Sequence, residues 1–435
     1  MELRESWTTR LTFILATLGF SAGIGNLWRF PYLVGMYGGG IFLLFYMFIV
    51  FLVAIPLFSI EITLGKTTGK DPVGAYESLA PGSYWHLNGY LNIFTMFLIS
   101  GYAASIIGTI FAYLFKTAFG TFSGMTAVEV ESYYRAFSTN WPELMIWTVA
   151  TVIILVLILS QGLVRGVERA NKIMMPALFV IMVVLMVRAL TLPGAAEGLA
   201  FYLKPDFEKF TWEGAVAAIG HSFFAIGVAM AVALVYGSYL PKGSRHVISN
   251  SVIIALASTL IGIMAGLIIF PSIFSFGLDP ASGSGLTFIT MPNVFNQMPA
   301  GTFFGTLFFL LFFLAALTSF IGAYEAIVAF LRDRYQVPRK RGVWYTGAGV
   351  IVIASITVYS SRLFLLADYL SNNILLILGA LVMSIFVGWV WEIPNFAESA
   401  GIESPAARML WTILIKYLAP IVILVCWIAT LRIGG

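Results

Sequence analysis

About 11 apolar runs divide the chain, each near or above the ~20 residues that cross a bilayer as a helix. They fall roughly at 11–33, 39–66, 87–117, 142–161, 168–190, 213–240, 246–275, 302–332, 342–361, 363–391 and 406–431. Lipid satisfies no backbone polar group, so runs of this length must close their hydrogen bonds internally, as helices. The chain is therefore expected to be an all-α integral membrane protein. Only 10% of its residues are charged, against about 25% in a soluble domain. The first run has no small-residue cleavage site behind it and reads as a retained span. The runs at 87–117 and 302–332 are long enough to tilt or to project from the bilayer.

Flanking charges orient the spans. Arg4, Arg10, Lys66, Lys70, Arg165, Arg169, Lys172, Lys242, Arg245, Arg332, Arg334, Arg339, Lys340, Arg341 and Arg408 fall on one side. The smaller set, Lys116, Arg135, Arg188, Lys204, Lys209, Arg362 and Arg432, falls on the other. Lysine and arginine collect on the cytoplasmic side. The expectation is a multi-pass cell-membrane protein with a cytoplasmic N-terminus and a C-terminus outside. The net charge of +4 then reflects topology in the lipid bilayer, and no nucleic-acid partner is expected. A single cysteine, Cys426, excludes an internal disulfide, and His86, His221 and His246 are too few for a His-rich metal centre. Two polar, Gly/Pro-punctuated segments, 118–141 and 276–300, lie on the outer side. The second contains "LTFITMPNVFNQM", short enough for a helical lid.

Two spans carry helix-breaking stretches. "GFSAGIGNLWRFPY", Gly19 to Tyr32, puts three glycines, Asn26, Arg29 and Pro31 inside the first run. "FFAIGVAMA", Phe223 to Ala231, centres on Gly227 in the sixth. Unwound backbone at membrane depth is tolerated where it is buried or lines a cavity. Glycines alone also serve close helix packing, but packing does not explain Asn26 and Arg29. Broken helices 1 and 6, five spans apart, fit a 5+5 inverted repeat. The whole chain, 1–435, would be one transporter domain: 1–190 and 213–391 as the two halves, with 406–431 beyond them.

"WTTRLTFILATLGFSAGIGNLWRFPYLVGMYGGGIFLLFY" closely resembles the opening of the neurotransmitter:sodium symporter family, which has the leucine-transporter fold. "LFSIEITLGK", "GLVRGVERANKIMMP" and "FFLAALTSFIGAYEAIVAFLRDRY" resemble its second span, its Gly-X9-Pro motif (Gly166 to Pro176) and its eighth span. The likeness covers nearly the whole chain and suits bacterial members with eleven spans. It implies a sodium-coupled symporter working by alternating access, with Gly166 and Pro176 letting the fifth span unwind for inward sodium release.

By this resemblance the main sodium site uses the carbonyls of Gly19, Ala22 and Ala315 and the hydroxyls of Thr318 and Ser319. A second site would use the carbonyl of Ser21, the Asn26 side chain and positions 225 and 257. There the chain departs from the family. Ala225 and Ala257 present methyl groups, which ligate nothing, so one coupled sodium is expected unless Ser258 or a backbone carbonyl restores the second. The implied substrate pocket comprises Phe20, Ser21, Gly23, Gly25, Ile99, Tyr102, Ala103, Phe224, Gly227, Met230, Ser319 and Ala323. The family's carboxylate-binding tyrosine aligns with Ala103, one place after Tyr102. Amine-carrying relatives have an aspartate where Gly23 stands. The expected substrate is therefore a bulky apolar or aromatic amino acid, or a related acid.

The resemblance also implies an outer gate, Arg29 and Asp368 under a Phe224 lid, and an inner gate of Arg4, Trp7, Tyr239 and Asp333. Glu61 reads as structural. A chloride site is not expected to be intact, since Tyr46 is kept but Ile261 stands where a serine or carboxylate belongs. His221 and Glu325 replace family glutamines, and intramembrane ionisable residues are functional candidates. They keep open a proton-coupled or sodium-independent carrier of a non-standard substrate. A non-transporting substrate sensor is the other alternative. An enzyme is not expected, because no nucleophile–base–orienter set and no metal motif are present.

Overall fold

The computed structural model describes residues 5–241, 243–244, 246–280 and 283–433, so Arg4, Lys242 and Arg245 lie outside the described residues. The described chain is all-helical. Among the described residues, nine helices are long and apolar enough to cross a membrane, ten when one bent pair counts as a single span. The bent pair is α1 (Arg10–Ser21) and α2 (Gly25–Met36), which meet at 47°. The others used below are α3 (Gly40–Thr68), α4 (His86–Ala118), α5 (Ala127–Thr139), α6 (Trp141–Leu159) and α7 (Leu163–Leu190). After them come α8 (Trp212–Ile226), α9 (Val232–Ser238), α10 (Val247–Ser275) and α11 (Thr290–Gln297). The last are α12 (Gly301–Tyr335), α13 (Arg339–Tyr359), α14 (Ser361–Val390) and α15 (Pro405–Thr430). The expected sixth span is therefore two short helices, and neither α8 nor α9 would cross alone. The structure reaches the expected eleven only if α8 and α9 are joined.

Helix α1 starts at a capping box, in which Thr9 and Thr12 each accept the other's backbone N–H at 3.2 Å. Its last regular bond runs from Ala22 N to Leu18 O at 2.7 Å. The next turn is then free of its helical donors, and Gly25–Arg29 resumes as π-helix. The break between α8 and α9 is more severe. Gly227, Ala229 and Ala231 all take positive φ, at 82°, 61° and 64°. For an alanine this conformation costs on the order of 1–2 kcal/mol. The wholly buried Glu61 of α3 lies beside the backbone N–H groups of Ala229 and Ala231, without a close hydrogen bond. A carboxylate aimed at exposed amides offsets part of that strain, which supports the structural reading of Glu61.

Lipid gives no hydrophobic drive for one helix to join another, so close backbone approach has to hold them together. Helix α9 packs on α3 in this way. A β-carbon at Gly65 would fall 1.8 Å from Leu234 O, and one at Gly237 would fall 2.5 Å from Ile62 O. The long α12 runs beside α4 and α1, bringing Thr318 and Ser319 against the α1 break. Helix α11 forms within the segment expected to hold a helical lid.

Candidate functional site

Where α1 gives way to α2, the carbonyls left without helical partners meet α12. Ser319 Oγ donates to Phe20 O at 2.7 Å and approaches Gly19 O at 3.3 Å. Thr318 Oγ1 donates to Ala315 O at 2.9 Å. Gly19, Ala315, Thr318 and Ser319 are thus brought together, with Ala22 buried at the break itself. Both hydroxyl protons point at carbonyls, so the hydroxyl lone pairs remain for another partner. A cluster of neutral hard oxygens with no donor left to satisfy them suits a small hard cation.

A second cluster surrounds Asn26. Its Nδ2 donates to Ser258 Oγ at 2.7 Å, Ser21 O at 3.1 Å and Ser258 O at 3.2 Å. Ser258 Oγ in turn donates to Ala225 O at 3.2 Å. The alignment of α10 is therefore corrected by one residue, because Ser258, fully buried, faces this cluster while Ala257 is only half-buried. One turn on, the site-facing residue is Gly262, whose added β-carbon would lie 3.7 Å from Asn26 Oδ1. That displaces Ile261 from the expected chloride position. Ser258 Oγ and the carbonyls of Ser21, Ala225 and Ser258 therefore stand around Asn26, where Ala225 and Ala257 offer no side-chain oxygen. In this state, however, the Asn26 NH2 group occupies their focus, and Asn26 Oδ1 is left buried without a partner.

A cavity of about 350 Å3 opens beside these clusters. Phe20, Ser21, Gly23, Gly25, Ile99, Tyr102, Ala103, Phe224, Met230, Ser319 and Ala323 line it, as do Arg29 and Asp368. Gly227 is not on the wall. A β-carbon there would lie 2.2 Å from the Phe20 ring, so this glycine seats Phe20 rather than substrate. Tyr102 reaches the wall, but its hydroxyl accepts from Asn372 Nδ2 at 3.1 Å and so is committed to α14. Ala103 leaves an apolar corner that Met96 and Ile106 extend. Tyr134 of α5 also reaches the cavity, and burial pushes its phenol pKa up, keeping it neutral. Sequence reasoning missed Ile24, Met96, Ile106, Trp28, Tyr32, Tyr134, Phe320, Phe364 and Leu365, which are apolar or aromatic residues like many others in the chain.

Gly23 is the tightest point. A β-carbon there would sit 1.7 Å from Ser319 Oγ and 2.7 Å from its Cβ. Gly23→Ala must push Ser319 off the Gly19 and Phe20 carbonyls. Sodium-dependent binding should fall by about tenfold or more, from the lost charge-assisted contact, while detergent-purified protein keeps its helical content. Unchanged sodium dependence in that variant would refute the close approach.

The two ends of the cavity differ. Toward Asp368, no ion pair among the described residues joins Arg29 to that carboxylate. Arg29 stacks instead over Phe224, with Cζ 5.4 Å from the ring centre, and its Nε has no partner. Asp368 Oδ1 accepts from Asn372 Nδ2 at 2.8 Å. The end nearer the N-terminus is sealed. Trp7 Nε1 donates to Tyr236 O at 2.8 Å and its backbone N to Tyr239 O at 3.2 Å. Thr8 donates twice to Glu168, at 2.6 and 2.8 Å. Arg339 holds Glu325 at both oxygens, at 2.6 and 2.9 Å, and Tyr239 Oη donates to Glu325 at 2.7 Å. Arg339 also lies 3.6 Å from Glu5, which accepts from Leu163 N at 3.0 Å. Asp333 sits with Arg332 at 3.2 Å and accepts from Asp71 N at 3.1 Å. Its expected partner Arg4 is outside the described residues. Glu325 is thus tied to an arginine and a tyrosine at the sealed end rather than left as an unpaired acid within the span. His221 stacks at 5.4 Å on Phe30 with both ring nitrogens unpartnered, so it does not bond to the Arg29 region.

The sequence profile of the sodium:neurotransmitter symporter family matches residues 4–126 and 138–433. The chain belongs to that family. A sodium-dependent transporter of Haemophilus influenzae is 33% identical, with 98% of each chain covered. The Bacillus subtilis sodium-dependent transporter YhdH is 31% identical, over 97% of this chain and 96% of that one. Among solved structures, MhsT in complex with L-phenylalanine has a TM-score of 0.91 at 33% identity, covering 98% of this chain and 100% of that one. A sodium:neurotransmitter symporter of this fold is a multi-pass membrane transporter and not an enzyme, and the hydroxyl and carbonyl oxygens gathered at the α1 break fit the ion its family uses.

Proposed function

We propose that this symporter imports a bulky apolar or aromatic amino acid on the sodium gradient, one sodium per turnover. The observation that carries the substrate class is the cavity wall at Ala103, which with Met96 and Ile106 forms an apolar corner. Phe20, Phe224, Phe320 and Met230 around it offer flat and adaptable surfaces to an aromatic side chain. That MhsT binds L-phenylalanine in a similar fold supports the same reading. The amino acid's carboxylate would meet the exposed amides at the start of α2, with Gly23 and Gly25 leaving room for it.

The sodium would be held by Gly19, Ala22, Ala315, Thr318 and Ser319. Ser21 and Asn26, with Ser258, form a second oxygen cluster that the Asn26 amide closes. Residues 1–190 and 213–391 would act as the two repeats that rock around this fixed site. With the N-terminus cytoplasmic, the sealed end is the inner gate and the Arg29–Asp368 end faces outward. The structure would then be closed to the cytoplasm, with its outer ion pair unmade. Substrate under Phe224 would draw Arg29 toward Asp368, and release inward would require Arg339, Glu325 and Trp7 to part.

Ala103→Leu tests the substrate class. Filling the corner should cut uptake of phenylalanine-sized substrates by roughly tenfold or more while sparing alanine or valine. Competition by a panel of unlabelled amino acids against one labelled substrate would read it. Equal losses for large and small side chains would refute the assignment of this corner to the substrate.

A further inference from the structure

Asn171 belongs to none of the groups expected from the sequence. It stands on α7 just past the π-helical stretch Leu163–Glu168 and is fully buried. Its Nδ2 donates to Val167 O at 2.9 Å. A carbonyl only accepts, so this bond fixes which end of the amide faces which way. Oδ1 is turned to the other side, and it has no hydrogen-bond partner.

That side is the α1 break. A β-carbon built on Gly19 would lie 2.2 Å from Asn171 Oδ1 and 3.1 Å from Thr318 Cβ. The orphaned oxygen and the Thr318 side chain thus lie side by side against the α-carbon of Gly19, and Gly19 and Thr318 both belong to the oxygen cluster between α1 and α12. Neither hydroxyl there has a proton to offer it, because Thr318 donates to Ala315 O and Ser319 to Phe20 O. A buried acceptor with no donor to meet it is unfavourable unless something positive joins it.

We propose that Asn171 is an additional sodium ligand, contributed by α7, which ties occupancy of the ion site to the folded state of the Leu163–Glu168 stretch. The inference rests on the sodium reading of Gly19, Thr318 and Ser319 given above. The amide carries the link through its two ends. Oδ1 on a cation draws electrons from the amide, which makes Nδ2–H a stronger donor to Val167 O. Val167 lies inside the π-helical stretch, beside Gly166 and four residues after Leu163, whose N–H is held by Glu5. Departure of the ion strands Oδ1 again and slackens this grip, so the stretch loosens as sodium leaves. Ion release and opening of the inner end of α7 become one event.

The test uses purified full-length protein in detergent, with sodium chloride varied against choline chloride and no substrate present. Two readouts are followed: the sodium-dependent rise in melting temperature, and sodium-dependent hydrogen-exchange protection of residues 163–168. Asn171→Ala should weaken apparent sodium affinity by about tenfold or more and abolish the protection at 163–168. Asn171→Asp keeps an oxygen and adds charge. It should bind sodium at least as tightly as the parent, and it keeps the test informative if the alanine variant does not fold. Thr318→Val is the control for the site itself. If Thr318→Val loses the sodium response and both Asn171 variants keep it unchanged, Asn171 is not a ligand while the sodium site stands. If Thr318→Val responds to sodium like the parent, the site reading fails and the inference with it.

Discussion

Thr318→Val should abolish most sodium-driven accumulation, although it preserves the shape of the side chain. The hydroxyl is fully buried, donates to Ala315 O at 2.9 Å and presents its lone pairs to the α1 break. Valine removes one hard oxygen from a small set and replaces it with a methyl that excludes a cation. Contacts to a charged group are worth roughly 1.5–3 kcal/mol, so sodium affinity should fall by about 10- to 100-fold. Combining it with Ser319→Ala should leave no measurable sodium dependence, and the two effects should not add simply, because both side chains serve one site. Uptake measured against sodium concentration gives the answer. Thr346→Val provides a comparison, since that hydroxyl also back-bonds within its helix, to Gly342 O at 2.9 Å, but on α13, outside the oxygen cluster.

Arg339→Ala should have the other large effect, on conformation rather than on affinity. The Glu325 side chain has 0% exposure and both its oxygens are held by the guanidinium. Removing the arginine leaves a buried carboxylate with Tyr239 as its one remaining hydrogen-bond donor among the described residues. Breaking one partner out of a buried pair typically costs about 3–5 kcal/mol. Only the closed inner end bears that cost, because opening lets water reach Glu325. The closed-to-open ratio should therefore shift by on the order of 10²–10³ toward the inward-open form. Probes on Thr9 and Gln336 would report it as a longer distance across the inner end. The double variant Glu325→Gln with Arg339→Gln removes both charges and should recover much of the closed population. If the single variant leaves the distance distribution unchanged, the pair is a surface ornament and not a gate.

What the sequence made legible follows from which residues are chemically conspicuous. The broken first span announced itself because Asn26 and Arg29 have no business in lipid, and the α1 break stands there. The breadth of the second break did not. Only Gly227 marked it, whereas two alanines, Ala229 and Ala231, also take the left-handed conformation under cover of Glu61. The register of α10 slipped by one residue because Val247–Ser275 is almost uniformly apolar. In such a helix Ala257 and Ser258 compete for the same role with nothing nearby to arbitrate. Their burial decides it, with Ser258 inside and Ala257 half out.

Side-chain direction was the other hidden quantity. Tyr102 was legible as a wall residue, but not that its hydroxyl belongs to Asn372. Glu325 stood out as an acid within a span, yet its partner Arg339 is supplied by the start of the next helix, across a turn that no period reveals. Asn171 sat unnoticed inside the Gly166–Pro176 motif, because a lone asparagine on a helix carries no signal until Gly19 is found against it.

The central claim is that the oxygen cluster between α1 and α12 harnesses sodium to move an apolar amino acid. Uptake of labelled L-phenylalanine, and of a pool of apolar amino acids, by purified protein in liposomes tests it most directly. An inward sodium gradient would be compared with choline and with an imposed proton gradient. Accumulation that needs sodium, rises with its first power and ignores the proton gradient is the predicted result. Uptake indifferent to sodium, or driven by protons alone, would contradict it.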